Sequence, residues 1–201
     1  MAEAARKHFG PYFHFRAPVS TDEYLSEELG ATVKSEFIDG HVYAMAGTSD
    51  WHNVIALNLA GFLNAQLPDR CRALALDVKL QIKTQITERY YYPDVFVSCG
   101  SPLVGAFVHT DAMLVAEVLS PTTARFDRGE KMIAYKQLPS LEEYVLIWPD
   151  EAIVEIFRKT NAWQRELIER RQVLRMNSVS LELPLESLYR RVPVQFEPPP
   201  A

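Results

Sequence analysis

Cysteine is scarce in this chain of 201 residues, which holds only Cys71 and Cys99. Their spacing matches neither a disulfide framework nor a zinc site, so we expect neither. No apolar run approaches the roughly 20 residues that a membrane-spanning helix needs. Charge and proline interrupt the N-terminal MAEAARKHFGPYFHF, unlike a signal peptide. These absences favour a cytoplasmic protein in a reducing compartment, with no membrane partner.

An excess of basic residues is also missing. Lysine and arginine number 21 against 26 acidic residues, so the formal net charge is -5. A protein that binds nucleic acid through its overall charge is usually basic, and any contact with DNA would here depend on a local patch. The basic residues that could form such a patch are Arg89, Arg125, Arg128, Lys131 and Lys136.

Hydrophobic residues make up 48% of the chain, which suits one domain with a substantial core. We predict an N-terminal arm at residues 1–19 and a single domain at residues 20–190. The remaining residues, 191–201, end in PVQFEPPPA and are expected to form a flexible tail.

Sequence patterns in the first part of the domain predict two helices and a hairpin. A capping-type start at Ser20 predicts a short helix over residues 20–29. The Asp39-Gly40 pair is a strong turn signal and predicts a hairpin over residues 35–44. Apolar residues at helical spacing predict an amphipathic helix over residues 50–66.

The second part predicts mostly strands, because β-branched and aromatic residues are frequent in it. Pro93 implies a strand start, a bulge or an edge, and Asp127 is interpreted as the N-cap of a helix that ends at Leu138. The resulting order of elements predicts an α/β (α+β) fold with a mixed sheet flanked by helices. The predicted strands cover residues 72–83, 90–97, 113–118, 143–147 and 153–158, and residues 163–169 are expected to pair with the last of these.

Two carboxylates lie on short apolar strands. Asp94 begins DVFV, and Glu117 comes near the end of MLVAEV. If these strands are neighbours, the two like charges raise each other's pKa unless a cation lies between them. A hard divalent cation such as Mg²⁺, or Mn²⁺ in its place, takes oxygen ligands of this kind. Lys131 and Tyr135 are four residues apart, so both could face the same site.

The arrangement of these residues resembles known nucleases. Pro93-Asp94 followed by Glu117-Val118-Leu119 resembles the PD-(D/E)xK nuclease superfamily. The Uma-two family of restriction endonuclease-like proteins is more similar still, over residues 20 to 160. The segments that carry this resemblance are EFIDGHVYAMAG, the helix with His52, YYPDVFV, VAEVLSPTTARFDRGEKMIAY and EEYVLIWPDEAIVEIFR.

The resemblance implies a restriction endonuclease-like core of three layers with a central mixed sheet. It also implies that Asp94, Glu117 and the backbone carbonyl of Val118 hold Mg²⁺, which would activate water for hydrolysis. The implied reaction is metal-dependent hydrolysis of a phosphodiester bond in DNA, and cutting both strands would favour a homodimer.

Leu119 departs from the superfamily pattern, which has a lysine at this position. The resemblance implies that Lys131 on the next helix supplies the missing cation, and Lys79 is a second candidate. Glu36 matches an additional acid of the superfamily, and His52 matches a position that faces the site.

Two other functions fit the same scaffold. One is a catalytically inactive DNA-binding or regulatory module, which Leu119 and the acidic net charge favour. The other is a structural or assembly protein that keeps only the fold.

Overall fold

The computed structural model describes residues 17–45, 47–100 and 107–196. The helices are labelled in chain order: α1 is Thr21–Glu28, α2 is Asp50–Gln66, and α4 is Leu185–Leu188. Helix α3 covers residues 124–135 without a break. It consists of the α-helical Ala124–Phe126, a π-helical turn at Asp127–Lys131 and the α-helical Met132–Tyr135.

Thirteen strands lie in the described residues and form two sheets and a separate hairpin. The five-stranded sheet has the order β2-β1-β5-β4-β7, and the six-stranded sheet has the order β11-β10-β9-β8-β6-β3. The strands are β1 Ser35–Ile38, β2 His41–Ala44, β3 Arg72–Ala75, β4 Lys79–Lys83, β5 Glu88–Tyr91, β6 Val95–Ser98, β7 Val108–His109, β8 Leu114–Val118, β9 Glu143–Ile147, β10 Ile153–Arg158, β11 Arg165–Glu169, β12 Val173–Met176 and β13 Leu181–Pro184.

The six-stranded sheet is the middle layer of the molecule. It is mixed, because β8 and β9 run parallel while the other neighbours are antiparallel. Side chains of a strand alternate between its two faces. On β8, Leu114 and Ala116 pack with helix α2, whereas Val115 packs with Tyr135 of helix α3. The α+β fold with a central mixed sheet is therefore confirmed, and Glu117 shares the α3 face with Val115.

The predicted N-terminal elements are confirmed. The Ser20 hydroxyl accepts a hydrogen bond from the Glu23 amide at the start of α1, as an N-cap does. Strands β1 and β2 are joined through Asp39 and Gly40, whose φ angles are 49° and 94°. Positive φ at both central residues is the geometry of a tight type I′ turn.

Two predicted strands were wrong in extent. Residues 72–83 form β3 and β4, which belong to different sheets, and Leu76 between them has a φ of 69°. Residues 90–97 likewise divide into the end of β5 and β6, with Pro93 between them. Proline cannot donate to a sheet ladder, so the chain leaves one sheet there and enters the other.

The prediction that the cysteines remain unpaired was also wrong. Cys71 and Cys99 form a disulfide with a sequence separation of 28 residues. They flank the paired residues Arg72 and Ser98 of β3 and β6. Spacing along the chain could not reveal this pairing, because it follows from the antiparallel register of the two strands. The pairing also removes the reason for expecting a reducing compartment.

The ends of the domain stay predictions, since residues 1–16 and 197–201 lie outside the described part of the chain. Val192, Val194 and Phe196 pack against the core on the α2 side of the central sheet.

Among the described residues, no helix combines the length and the apolar character needed to cross a bilayer.

Candidate active site

Asp94 and Glu117 lie opposite each other where β6 begins and β8 ends. The register pairs Val95 with Ala116, which places the two acids at adjacent positions across the strands. The Asp94 amide donates to Glu117 Oε2 at 3.2 Å, and the Val118 amide donates to Asp94 Oδ2 at 2.7 Å. Each carboxylate is therefore held by the backbone of the other strand, and both are fixed in place.

Glu117 is 3% exposed, and its Oε1 atom accepts two further hydrogen bonds. Lys131 Nζ donates to this oxygen at 3.1 Å, and the Tyr135 hydroxyl donates to it at 2.8 Å. Both donors come from α3, which packs on the face of the sheet where Glu117 points. The four-residue spacing of Lys131 and Tyr135 thus aims two donors at one carboxylate oxygen.

Lys131 is shared by three carboxylates. Besides Glu117, its ammonium lies 3.0 Å from Glu36 Oε1 and 3.7 Å from Asp127 Oδ1. Burial alone would lower the pKa of Lys131, but the charges of Glu117, Glu36 and Asp127 outweigh it and raise that pKa well above its ordinary value. Lys131 is consequently a permanent cation and not a proton acceptor at neutral pH.

His52 approaches Asp94 from the other side of the sheet. It lies in the first turn of α2, and its Nε2 atom is 3.2 Å from Asp94 Oδ2. Burial favours the neutral imidazole, but the hydrogen bond and charge of Asp94, together with a hydrogen bond to the Val118 backbone, raise the pKa of His52 above 6.5. Asp94 and the Val118 backbone therefore favour the protonated form of His52.

The site carries an excess of buried negative charge. Four carboxylates gather around one lysine and one histidine: Glu36, Asp94, Glu117 and Asp127. Burial raises the pKa of Glu117 to about 8, Lys131 opposes this, and the neighbouring acids add to it. Burial likewise raises the pKa of Asp127. Burial thus disfavours the charged form of Glu117, and a further cation beside it would oppose that effect.

The donors at the site fit a hard divalent cation. The described residues hold no group of three or more His, Cys, Asp or Glu side chains arranged as a metal site. Mg²⁺ needs fewer side chains than that, because it uses one or two carboxylates and keeps several waters. The carboxylates of Asp94 and Glu117 and the carbonyl of Val118 are oxygen donors, and the excess negative charge favours a cation beside them.

The structure brings together all five side chains that were predicted to form the site, namely Glu36, Asp94, Glu117, Lys131 and His52. Their roles in chemistry stay predictions. Lys79, the second candidate for the cation, instead lies 4.8 Å from the ring centre of Tyr92. Leu119, at the position of the superfamily lysine, is 2% exposed and packs in the core.

The interpretation of Asp127 as a helix cap was wrong. Helix α3 begins three residues earlier, at Ala124, and Asp127 lies within it, 2% exposed and directed at Lys131. The cap-like pattern misled because an aspartate followed by an acid three residues later also fits a helix interior. The spacing of Asp127, Lys131 and Tyr135, four residues at each step, was the signal that could have placed it in the site.

The basic residues considered for a common patch pair separately. Arg89 pairs with Asp39, Arg128 pairs with Glu155, and Lys136 lies over the ring of Trp163. Arg125 is exposed, and Lys131 is buried in the site. Acidic partners therefore offset the charges of Arg89 and Arg128, which weakens a common basic patch.

Comparison with known proteins places the chain among bacterial relatives. A model of the family Uma2, described as "Putative restriction endonuclease", matches residues 21–190. Two uncharacterized proteins of Synechocystis sp. are similar. One, sll1609, is 40% identical over 129 residues, covering 62% of this chain and 72% of the relative. The other, slr1290, is 33% identical over 177 residues, covering 86% and 92%.

A solved structure shares the fold. It is the crystal structure of a putative nuclease belonging to DUF820 from Anabaena variabilis, with a TM-score of 0.66 and 20% sequence identity. The match covers 86% of this chain and 98% of the other. At this identity the likeness establishes the arrangement of helices and strands, while the chemistry must be argued from the side chains of the present site.

Proposed function

Because this chain belongs to the Uma2 family of restriction endonuclease-like proteins, we propose that it is a nuclease that hydrolyses phosphodiester bonds in DNA with a divalent cation, Mg²⁺ or Mn²⁺. The observation that carries the proposal is the contact between Asp94 and Glu117. Two acids that are 23 residues apart in the chain interlock through backbone hydrogen bonds, with the Lys131 ammonium 3.1 Å from Glu117.

Asp94, Glu117 and the Val118 carbonyl would hold the cation. A divalent cation held there would polarise the scissile phosphate and make water a stronger nucleophile. The two carboxylates are already oriented by the amides of Val118 and Asp94, so binding would need little rearrangement of the backbone. The excess of carboxylates over basic groups in the site also supports cation binding.

Lys131 would stabilise negative charge as it develops on the reacting phosphate. The raised pKa keeps its ammonium charged, so an electrostatic role suits it better than proton abstraction. Glu36 holds the ammonium from the β1 side at 3.0 Å and would fix its position. His52 would assist by holding a proton at Nε2 beside Asp94, 3.2 Å from its Oδ2 atom.

Replacing Asp94 by alanine tests the proposal. We expect the purified protein to cut plasmid DNA in Mg²⁺ or Mn²⁺. The variant D94A should lose at least about 100-fold in rate, because it lacks one of the two carboxylates proposed to hold the cation. Asp69→Ala is the matched control, since Asp69 is an exposed acid beyond the end of α2. Equal cleavage by the wild type and D94A would refute the assignment.

The same preparation separates the alternatives. DNA binding without cleavage, with no heat of Mn²⁺ binding in calorimetry, would identify a DNA-binding module on this fold. A protein that binds neither DNA nor Mn²⁺ would instead point to a structural or assembly role.

We further propose that the active form is a homodimer, because one site of this kind cuts one strand. A dimer would convert supercoiled plasmid directly to the linear form, and light scattering would give twice the monomer mass of 22.9 kDa. A monomer that produces only nicked circles would contradict the dimer and leave the single-strand chemistry intact.

A further inference from the structure

Asp127 is a buried carboxylate to which the proposed reaction assigns no role. It is 2% exposed and lies in the π-helical turn of α3, with its Oδ1 atom 3.7 Å from Lys131 Nζ. Its side chain also accepts a hydrogen bond from Thr123. A π-helical turn is rare and frequently occurs at functional sites.

The π-helical turn aligns three side chains along one face of α3. In an α-helix, a spacing of four residues rotates successive side chains by about 40°, so Asp127, Lys131 and Tyr135 would drift around the axis. A π-helical turn has i→i+5 hydrogen bonds and more residues per turn, which offsets this drift. All three side chains consequently reach the same carboxylate cluster.

Side chains from the central sheet hold the turn in this form. The Tyr144 hydroxyl donates to the Asp127 carbonyl at 3.0 Å, which fixes the backbone where the turn begins. Arg128 donates to the buried Glu155 at 2.7 Å and stacks on Trp148, with 4.6 Å between its guanidinium carbon and the ring centre. The position of Asp127 is thus set by the sheet as well as by the helix.

Glu117 Oε1 meets competing demands when a cation binds. This oxygen accepts hydrogen bonds from both Lys131 and Tyr135, and it belongs to a carboxylate proposed to hold the cation. Bringing a divalent cation to Glu117 repels the nearby ammonium, because like charges in a buried site are weakly screened. Lys131 then keeps Glu36 at 3.0 Å but loses one of its two close carboxylate acceptors. The Asp127 carboxylate, at 3.7 Å, is near enough to take the place of Glu117.

We propose that Asp127 is a positioning residue that takes up the Lys131 ammonium as Glu117 turns toward a divalent cation. This inference rests on the proposed function. Asp127 acts through Lys131 and is not itself a ligand of the cation. It keeps the ammonium inside the site, so that charge is available at the phosphate after Glu117 has changed partner.

A double-mutant cycle on Mn²⁺ affinity tests the inference without measuring activity. The variants are Asp127→Asn, Lys131→Met and the double variant, with calorimetry at one pH. We expect D127N to weaken Mn²⁺ binding by about 5- to 10-fold, because Lys131 stays on Glu117 and competes. In the K131M background, the same change should alter the affinity by less than about 2-fold.

Two controls separate positioning from other roles. Glu130→Gln changes an exposed acid in the same turn and should leave the affinity unchanged. Asp127→Glu keeps the carboxylate and should recover most of the affinity lost in D127N. If K131M fails to fold, the comparison of D127E with D127N still tests the role of the carboxylate. A carboxylate that mattered only for folding would lower the melting temperature and leave the affinity of the folded protein alone.

The outcomes distinguish this inference from the function it rests on. An unchanged affinity in D127N, or an equal loss with and without Lys131, would overturn the positioning role while wild-type Mn²⁺ binding upholds the metal site. A wild-type protein that binds no Mn²⁺ would overturn both. Loss in D127N that vanishes in K131M, with recovery in D127E, would support the inference.

Discussion

Glu117 lies almost wholly out of water on a strand whose other residues are apolar. Ionising such a group costs free energy unless cations compensate, and Lys131 compensates only in part because Glu36 and Asp127 share it. The residue therefore combines an unfavourable burial with a position beside Asp94. Binding of a divalent cation would lower the free-energy cost of ionising Glu117. The burial of this side chain therefore favours cation binding at the site.

The pH dependence of stability should report this burial. The folded-state pKa of Glu117, about 8, lies above its ordinary 4.5. Its contribution to the free energy of unfolding is therefore fully present below pH 4.5 and is lost as the pH rises toward 8. In chelator, wild type should lose on the order of 5 kcal/mol relative to Glu117→Gln over this range, measured by urea unfolding. Parallel pH profiles for the two proteins would contradict a raised pKa.

His52 offers a second measurement at the residue scale. Its pKa should lie above 6.5 in the folded protein, because Asp94 and the Val118 backbone favour the imidazolium more than burial disfavours it. Its contribution to stability is present at low pH and lost as the pH rises through that raised pKa. NMR titration of the ring, assigned with His52→Gln, checks this value.

Asp94→Asn is the matched variant for His52. It keeps the size of the side chain at 94 and removes its charge, so the pKa of His52 should fall while the burial stays the same. A pKa that did not move would mean that Asp94 is not the partner of His52 in solution.

At the scale of elements, the site is formed by the start of one strand, the end of another and one helix. Strand β6 begins just after Pro93, β8 ends just after Glu117, and α3 reaches over both with its π-helical turn. The hairpin of β1 and β2 adds Glu36 from the neighbouring sheet. Geometry at the ends of elements is set by turns, so turn residues should matter to the site as well as to stability.

Gly40 is such a turn residue. At a φ of 94°, a side chain is strained, and an added Cβ would lie 3.3 Å from the Pro18 Cβ. We expect Gly40→Ala to lower the free energy of unfolding by about 1–3 kcal/mol. Gly61→Ala is the control, since it lies in α2 with nothing within 4 Å and should raise stability by about 0.5–1 kcal/mol. Chemical denaturation measures both, and equal effects would contradict the assigned turn.

For the molecule as a whole, the central sheet separates two apolar cores and brings the site between them. One core lies on the α2 side and includes Ile55 and Leu59, and the other lies on the α3 side and includes Tyr135 and Leu146. His52 contacts Asp94 from helix α2 on one side of the sheet, and Lys131 contacts Glu117 from helix α3 on the other. The site therefore requires all three layers to be folded.

The disulfide should stabilise the whole molecule. Cys71 and Cys99 join the edge strand β3 to β6, which leads out of the site, and they close a loop with a sequence separation of 28. Loop-closure entropy for this length predicts a loss of roughly 3–4 kcal/mol when the bond is reduced. Unfolding with and without reductant measures the loss. The double variant C71S/C99S should show no response to reductant, and a similar response in both proteins would exclude the bond as the cause.

Local patterns in the sequence determined much of the fold. Ser20, the Asp39-Gly40 turn and the apolar spacing of α2 act within a few residues, so their structures follow from nearby chemistry. The family resemblance, carried by short ordered motifs, placed Glu36, His52 and Lys131 beside the two acids.

Only the tertiary structure decided where distant segments meet. The division of residues 72–83 between two sheets and the pairing of Cys71 with Cys99 depend on contacts that no local pattern encodes. For Asp127, the local spacing shows only a face shared with Lys131 and Tyr135, and the packing of that face on the sheet buries the carboxylate. Strand register and helix packing are settled by the burial of both cores at once. The sequence by itself therefore determined which groups could do chemistry, and packing decided which of them share one buried site and how their charges balance.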